Sequence, residues 1–291
     1  MRCNIKADKK YQPFIKWVGG KRGVLPQILP LLPKEFNSYF EPFVGGGAMF
    51  FELYSLGMLK NKKVYLSDIN SELINAYNIV KNNPIELIES LKGFKEKHSE
   101  EFYYKIRALD REETFLKRSN IFRATRFIYL NKTCFNGLYR VNSKGYYNVP
   151  MGKYKNPNIC DEVVIHHASE SLQNTIISNT SYKNILLNVL EDDFIYLDPP
   201  YYPLTHTSSF TSYSEFSFLE KEQIELFELF QKLNQKGCKI LKSNSNAEFI
   251  KNLYADFEIR DIQANRFINS KSSGRGRISE IIINSKHSSN I

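Results

Sequence analysis

Four consecutive residues in the second half of the chain carry groups suited to binding an amino group on an aromatic ring. Asp198-Pro199-Pro200-Tyr201 directly follow the apolar run Phe194–Leu197. Two adjacent prolines fix φ and lack backbone N–H donors, so their carbonyls are free to accept hydrogen bonds. The Asp198 carboxylate is a further acceptor, and Tyr201 offers a stacking surface. These groups fit an amino-bearing nucleobase taken out of its helix. The alternative, a surface turn after a strand, fits the four residues alone equally well.

The apolar run before this turn predicts a buried strand, which places Asp198 at the carboxyl end of a sheet. Ligands bind at that edge in open α/β folds. Upstream, Ser38–Pro42 predicts a strand, Gly45-Gly46-Gly47 a tight turn and Ala48–Leu53 a helix. A strand, a glycine turn and a helix in this order open a nucleotide-binding βαβ unit. Because Phe50 stands where the dinucleotide fingerprint has its third glycine, the turn favours a single nucleoside-like group over a pyrophosphate.

Three further side chains are candidates for the same site. A second predicted strand, Val64–Ser67, ends in Asp68, about twenty residues beyond the glycines, where an acid reaches ribose hydroxyls in this architecture. Asp68 could instead cap the helix predicted from Ser71 to Lys81. Near the N-terminus, Trp17 offers a stacking surface and Lys21 a charge for a carboxylate or phosphate. Taken alone, Trp17 and Lys21 fit a hydrophobic arm with a turn better.

The middle of the chain has an uneven charge that favours a polyanionic partner. The net charge is +9, and residues 114–160 contain no Asp or Glu but nine Lys and Arg residues. Soluble surfaces normally mix the two signs, so this one-sign field favours nucleic acid over a solvated face. Within it, Asn136–Val141 and Tyr146–Pro150 flank the turn Asn142–Gly145 and predict a β-hairpin. A two-stranded ribbon fits the major groove, where Arg140 could read a guanine. The alternative is an ordinary surface hairpin.

The remaining pattern predicts alternating helices and strands. The helices are expected over Pro84–Lys97, Ser99–Arg111, Asn120–Lys132, Asp161–Glu170, Leu219–Lys236 and Ala247–Tyr254, and the strands over Thr175–Ile177, Lys239–Lys242, Glu258–Gln263 and Ile278–Asn284. The mostly polar segment Ser208–Tyr213 predicts a mobile loop that closes over the site. The basic, glycine- and serine-rich loop Arg266–Arg277 predicts a phosphate clamp, or a disordered tip.

The composition narrows the class of protein. The 291 residues are 42% hydrophobic and 24% charged, an ordinary globular balance. No apolar run reaches the roughly 18 residues that a membrane span needs, and the polar, basic N-terminus is not a secretory signal. The four cysteines have no paired spacing. A structural metal or a disulfide framework is therefore not expected, and a cytoplasmic location fits.

The order of these motifs resembles that of the Dam-type DNA adenine-N6 methyltransferases. The resemblance is carried by segments spread over nearly the whole chain: Phe14–Lys21, Phe40–Gly47, Leu66–Asn70, Phe135–Arg140, Tyr147–Pro150 and Asp198–Tyr201. It implies an α/β fold with a Rossmann-like S-adenosylmethionine-dependent methyltransferase sheet (residues 1–76 and 166–291). An inserted helical DNA-recognition domain (residues 77–165) would carry the hairpin.

The resemblance further implies a monomer whose partner is double-stranded DNA and which does not bind a membrane. It would move a methyl group from S-adenosylmethionine to N6 of a flipped adenine, with GATC as the expected target. A cognate restriction endonuclease would be a functional rather than a physical partner. Two alternatives stay open: an amino-methyltransferase for cytosine N4 or RNA adenine, and a DNA-binding protein with a vestigial cofactor site.

Individual residues receive roles from the same resemblance. The catalytic set is Asp198, Pro199, Pro200 and Tyr201. The cofactor set is Trp17, Lys21, Phe43, Gly45, Gly47, Asp68 and Asp198. The DNA-binding set is Phe135, Asn136, Leu138, Arg140, Asn148, Pro150, Tyr154 and Lys155, with Arg140 on a guanine and Phe135 near the gap left by the flipped base. Family members often carry an acid for the cofactor adenine where this chain has Ser181, so Ser181 receives no role.

Overall fold

A seven-stranded sheet organises the protein. The computed structural model describes residues 11–204, 218–265 and 277–287. The strands are β1 (Tyr39–Glu41), β2 (Val64–Asp68), β3 (Thr175–Asn179), β4 (Phe194–Leu197), β5 (Lys239–Ser245), β6 (Glu258–Asn265) and β7 (Arg277–Asn284). Their order is β3-β2-β1-β4-β5-β7-β6. Strands β1 to β5 pair in parallel, and β7 runs antiparallel between β5 and β6. This confirms the predicted Rossmann-like α/β fold.

The helices begin and end close to the predicted positions. They are α1 (Leu25–Ile28), α2 (Ala48–Ser55), α3 (Ser71–Asn82), α4 (Pro84–Glu96), α5 (Glu100–Ala108), α6 (Asn120–Thr133), α7 (Glu162–Leu172), α8 (Glu220–Gln235) and α9 (Glu248–Leu253). The side chains of Ser99, Ser119 and Asp161 cap α5, α6 and α7, because each accepts a hydrogen bond from a backbone N–H group in the first turn of its helix. Helix α5 is shorter than predicted because Leu109–Arg111 tightens into a 3₁₀ turn.

Two hydrophobic cores lie on opposite faces of the sheet. Along β4, Phe194 and Tyr196 belong to the first core, while Ile195 and Leu197 belong to the second. Both faces of β4 are therefore buried, which explains why its sequence is uninterrupted apolar rather than alternating. The first core continues from α2, α3 and α7 into the helical insert α4–α6. The insert therefore shares a core with the sheet, and the division at residues 77 and 165 stays a prediction.

The predicted β-hairpin forms only in part. Its turn is closed by hydrogen bonds from Asn142 N to Tyr146 O and from Asn148 N to Arg140 O, at 2.9 and 3.1 Å. The only bridge between its arms in the described chain pairs Val141 with Tyr147. The next rung would require an N–H from residue 150, and Pro150 has none. The hairpin is therefore confirmed at its turn and first antiparallel pairs, but its arms do not continue as a regular two-stranded ribbon.

Two predicted loops cannot be compared with the structure. Ser208–Tyr213 and residues 266–276 lie outside the described residues, and of Arg277 only the backbone is described. Within the described ranges, no helix combines the length and the apolar composition needed to cross a membrane.

Candidate functional site

One edge of the sheet brings the predicted cofactor residues next to the predicted catalytic motif. The glycine turn follows β1, Asp68 ends β2, and Asp198 follows β4. Strand β1 pairs in parallel with both β2 and β4. The three segments therefore leave the sheet at the same edge, which is the ligand-binding edge of open α/β sheets.

The carboxylate of Asp68 is tied to the glycine turn. Its Oδ2 accepts a hydrogen bond from Gly45 N at 3.2 Å, and its Oδ1 accepts one from Asn70 N at 3.0 Å. Helix α3 is capped by Asn70, whose side chain accepts from Leu73 N at 3.0 Å. The alternative in which Asp68 caps this helix is therefore wrong. Burial raises the pKa of Asp68, and backbone N–H donors partly offset the rise.

Trp17 and Tyr77 shape the glycine turn. Gly45 and Gly47 adopt φ values of +46° and +69°, which favour glycine. A Cβ at Gly45 would lie 2.7 Å from Cδ1 of Trp17, and one at Gly47 would lie 2.6 Å from the hydroxyl of Tyr77. That hydroxyl donates to Gly45 O at 3.1 Å. The glycines are thus required by internal packing, in addition to the ligand approach expected from the sequence.

One carboxylate oxygen of Asp198 is held by two neighbours. Its Oδ1 lies 2.9 Å from Nζ of Lys21 and accepts a hydrogen bond from the Ser243 hydroxyl at 2.6 Å. Lys21 is 3% exposed and also donates to Gly19 O at 2.8 Å. Among the described residues, no hydrogen bond reaches Oδ2 of Asp198. The side chain is therefore held in one orientation with its second oxygen available to a ligand.

Tyr201 is fixed at both its hydroxyl and its ring. The hydroxyl donates to Oε2 of Glu280 at 2.9 Å. The ammonium of Lys21 lies 4.4 Å from the ring centroid. Burial raises the pKa of Tyr201 well above its usual value, and the nearby charges of Asp198 and Glu280 add to that rise. The phenol is therefore neutral and acts as a donor, and Lys21 occupies one face of its ring.

The two proline carbonyls of the motif differ in their surroundings. Pro200 O accepts a hydrogen bond from Nε2 of the buried Gln223 at 3.0 Å. Gln223 is itself held by Asn244, whose Nδ2 donates to its Oε1 at 3.0 Å. The expectation that both carbonyls are free is therefore wrong for Pro200. The carbonyl of Pro199 has no hydrogen-bond donor within the described part of the chain.

Sequence reasoning missed the residues that support this motif. Ser243 and Asn244 lie on β5, Glu280 on β7 and Gln223 on α8. Ser243, Glu280 and Gln223 form hydrogen bonds with the motif across the fold, and Asn244 holds Gln223. Their one signal was that Lys242–Asn246 interrupts an apolar strand with polar residues, which is unusual in a buried parallel strand.

Two buried titratable side chains lie in the sheet beneath this edge. Burial raises the pKa of Glu41 on β1 to about 8, although the Tyr39 hydroxyl and Phe50 N donate to its carboxylate and oppose the rise. Burial lowers the pKa of Lys242 on β5 to about 7. The Nζ of Lys242 has no hydrogen-bond partner among the described residues and lies 4.7 Å from the ring centroid of Tyr254.

Lys16 and seven of the residues predicted to bind DNA make up a second group, which we call the recognition surface after that predicted role. We define it as Lys16, Phe135, Asn136, Arg140, Asn148, Pro150, Tyr154 and Lys155. Phe135 is 46% exposed despite its apolar ring, and Phe135 N donates to Pro150 O at 2.9 Å. Asn136 and Gly137 adopt consecutive positive φ values of 54° and 66°, so this turn projects Phe135 outwards. Leu138, by contrast, packs against the first core.

Lys16 joins this surface through Asn131, and the sequence did not single out either residue. The buried amide of Asn131 accepts from Lys16 N at 2.8 Å and donates to Lys16 O at 2.7 Å and to Gly137 O at 3.2 Å. Nζ of Lys16 lies 4.1 Å from the ring centroid of Tyr154. Asn131 therefore fixes the N-terminal arm beside the turn at Asn136 and Gly137.

The basic stretch is less uniform in space than in sequence. Arg118, Arg123 and Arg126 form ion pairs with acids outside the stretch, namely Glu112, Glu72 and Asp110. Burial also lowers the pKa of Lys132 to about 8. The nine basic residues of this stretch therefore do not form the one uncompensated positive field that the sequence alone had indicated. The exposed members are Lys117, Arg140, Lys144, Lys153 and Lys155.

Ser181 borders a cavity of about 280 Å³ at the carboxyl ends of β1, β2 and β3. Its hydroxyl accepts from Lys183 N at 3.4 Å and caps a 3₁₀ turn. The ring of the next residue, Tyr182, stacks on Phe43 with centroids 5.1 Å apart. Phe43 therefore lies at the same edge as Asp68, and its ring stacks on the residue next to Ser181.

Comparison with known proteins agrees with this geometry. Residues 17–268 match the family model described as D12 class N6 adenine-specific DNA methyltransferase. The type II methyltransferase M1.LlaDCHI of Lactococcus lactis subsp. cremoris is 45% identical over 274 residues, covering 94% of each chain. The type II methyltransferase M.MjaIII of Methanocaldococcus jannaschii is 44% identical, covering 91% of this chain and 95% of the relative. The DNA adenine methylase of Escherichia coli strain K12 is 34% identical, covering 94% and 95%.

Proposed function

The chain belongs to the D12 class of N6 adenine-specific DNA methyltransferases, and on that premise we propose that it methylates a flipped adenine within GATC, using S-adenosylmethionine. The observation that carries the proposal is the state of Asp198. One oxygen is fixed by Lys21 and Ser243, while the other oxygen and the carbonyl of the next residue, Pro199, have no hydrogen-bond donor in the described part of the chain. Cytosine N4, RNA adenine and a vestigial cofactor site have no comparable support from the family.

The residues at the sheet edge fit S-adenosylmethionine as a donor. Lys21 is a buried ammonium with a third N–H available for the methionine carboxylate. Asp68 would offer a half-buried carboxylate to the ribose hydroxyls, and Phe43 a ring to the adenine. Trp17, Gly45 and Gly47 would enclose the methionine end. When bound, the cofactor supplies a sulfonium methyl group open to direct attack.

Asp198 would activate the target nitrogen. The N6 lone pair of adenine is delocalised into the ring and is a poor nucleophile. Oδ2 of Asp198 and the carbonyl of Pro199 would accept the two N6 hydrogens, draw the nitrogen towards tetrahedral geometry and localise that pair. Asp198 is also placed to take the departing proton. Positioning and fixed charges would supply most of the acceleration, with no covalent intermediate.

Tyr201 and the recognition surface would hold the flipped nucleotide. Stacking on Tyr201 would offset the roughly few kcal/mol lost on unstacking, and it would use the ring face away from Lys21. Phe135 would fill the gap in the duplex, and Arg140 would read a guanine. Asn136, Pro150, Tyr154 and Lys155 would contact the DNA beside them.

Two of the relatives are named type II methyltransferase, and on that basis we propose a restriction endonuclease as a functional partner. We propose no physical contact between the two proteins. We further propose a monomer with the recognition domain at residues 77–165. The inserted helices fall within that range, as does the hairpin segment 136–150, which we call the recognition loop.

A methyl-transfer assay tests the proposed function. Labelled methyl from S-adenosylmethionine is offered to an unmodified duplex containing GATC and to one in which every GATC is altered. Transfer to the first alone, recovered as N6-methyladenine by mass spectrometry of the nucleosides, supports enzyme and target. Transfer to both overturns the target. No transfer to either overturns the proposed function.

Asp198→Ala tests the role of the carboxylate. We expect nearly complete loss of methyl transfer with DNA affinity largely kept, because the ion pair and hydrogen bond of Asp198 are with Lys21 and Ser243 and not with the predicted DNA-binding residues. Asp256→Ala, on an exposed turn after α9, is the control and should keep full activity. Parallel loss of transfer and DNA binding in Asp198→Ala would contradict this role.

A further inference from the structure

Arg140 and Asn148 face each other across the recognition loop. Nε of Arg140 donates to Oδ1 of Asn148 at 2.6 Å, which is short for an N–H···O bond. The same two residues are joined through their backbones, because Asn148 N donates to Arg140 O at 3.1 Å. Arg140 is exposed and Asn148 half-buried. The more buried residue therefore holds the more exposed one.

The backbone beneath Asn148 is anchored to the helical insert. The flanking residue Tyr147 gives its N–H to Oδ2 of Asp110 at 2.7 Å. On the other side, Val149 O accepts from the Tyr103 hydroxyl at 2.9 Å and from Nη1 of Arg107 at 3.2 Å. These bonds fix both neighbours of Asn148 to the α5 segment. Asn148 therefore stands on a rigid support, although it lies in a loop.

The opposite arm is held as well. The Tyr147 hydroxyl donates to Leu138 O at 2.9 Å, and Val141 is buried and bridged to Tyr147. The backbone of Arg140 is thus defined on both sides. Its long side chain would still lose considerable rotamer freedom on binding, unless another group orients it beforehand.

The position of the bond on the guanidinium determines what Arg140 can offer. Arginine has five N–H donors in a fixed fork, and a pair of them can bind O6 and N7 of guanine. The bond to Asn148 uses Nε, which excludes the side-on pair of Nε and one terminal nitrogen. The two terminal nitrogens form no hydrogen bond within the described part of the chain and remain for the base.

We infer that Asn148 is a positioning residue for base recognition, which holds Arg140 by Nε so that its two terminal nitrogens read one guanine end-on. This inference rests on the proposed function and goes beyond it, because it assigns the specificity of Arg140 partly to a second side chain. Asn148 acts here through Arg140, and not through a contact of its own with the DNA.

The test compares discrimination with overall activity. The duplexes carry the target sequence in unmethylated form, with natural guanine or with 7-deazaguanine, which keeps the base pair but replaces N7 by C–H. Equilibrium binding by fluorescence anisotropy and kcat/KM are measured for both. The variants are Asn148→Ala, Asn148→Asp, Arg140→Ala and the double variant with alanine at both positions.

We expect Arg140→Ala to lose the preference for natural guanine by ~2–12-fold, which is about half of one bidentate contact on the free-energy scale, because 7-deazaguanine lacks N7 but keeps O6. Asn148→Ala should lose a large part of the same preference, and the double variant should match Arg140→Ala. Asn148→Asp keeps the acceptor, so it should keep the preference, while its added charge weakens binding to both duplexes equally. Rescue of discrimination by this variant is not expected from a merely structural role.

Three results would overturn the inference. One is an equal loss on both duplexes in Asn148→Ala, which would make Asn148 a backbone contact. Another is that the two single losses multiply in the double variant. The third is a lowered thermal midpoint in Asn148→Ala that accounts for its loss. The binding measurement needs no methyl transfer, so a failure of the proposed activity would be recognised separately.

Discussion

Replacing Lys242 by methionine should stabilise the protein, and more so at neutral than at alkaline pH. Lys242 is fully buried on β5. Its Nζ has no hydrogen-bond partner within the described chain, and its neighbour is the ring of Tyr254 at 4.7 Å. A buried ammonium without a partner is costly. Methionine has a similar length and no charge, so Lys242→Met keeps the packing and removes the cost.

The size and the sign follow from the pKa. Burial lowers it from 10.5 to about 7, although the charge of Asp198 opposes the change. A shift of one unit corresponds to ~1.4 kcal/mol, so the cost is on the order of 3–5 kcal/mol at pH 7 and below. Between pH 7 and 10.5 the unfolded chain binds a proton that the folded chain does not, so the free energy of unfolding rises with pH. The gain from Lys242→Met should shrink across that window.

Urea unfolding at pH 6, 7, 8 and 9 measures this gain. The control is Lys239→Met on the same strand, because Nζ of Lys239 donates to Glu35 O at 2.9 Å and pairs with Asp192 at 3.0 Å. Lys239→Met should therefore destabilise the protein at every pH. A gain for Lys242→Met that is absent, or that does not change with pH, would refute the reasoning.

Three further substitutions test the site. Gly45→Ala should lower stability by ~1–3 kcal/mol and weaken binding of S-adenosylmethionine in calorimetry, because its Cβ would lie 2.7 Å from Trp17; unchanged affinity would contradict this. Glu41→Gln should flatten the pH dependence of stability. The pKa of Glu41 is raised to about 8, so the free energy of unfolding of the unmodified protein falls as pH rises from about 4.5 to 8. An unchanged pH profile in urea unfolding of the variant would count against this prediction. Tyr201→Phe loses the bond to Glu280 but keeps the ring, so kcat should fall less than in Tyr201→Ala; equal losses would show that the ring does not matter.

Sequence patterns were sufficient where the physics is local. The apolar run of β4 and the positive-φ demand of the glycine turn depend on neighbours a few residues away. The elements therefore lie close to their predicted bounds. The placement of Asp68 and Asp198 at one edge also followed from the sequence, because parallel strands put their carboxyl ends together.

The failures of the sequence predictions each have a separate physical cause. The sequence could not show that Asn70 rather than Asp68 caps α3, because both lie at plausible positions. It overestimated the free positive charge, because the acid that neutralises Arg126 lies outside the acid-free stretch. The hairpin prediction neglected Pro150, whose missing N–H was visible but was not counted.

The sequence by itself determined the family, the order of the motifs along the chain and the residue types that do the chemistry. Only the tertiary structure decided how those residues are held. Lys21 and Ser243 reach Asp198 from positions 177 residues before and 45 residues after it, and Asn131 reaches Lys16 across 115 residues. Hydrogen bonds depend on distances of a few tenths of an ångström between such groups. Those distances are set by the packing of the whole chain, which no local pattern records.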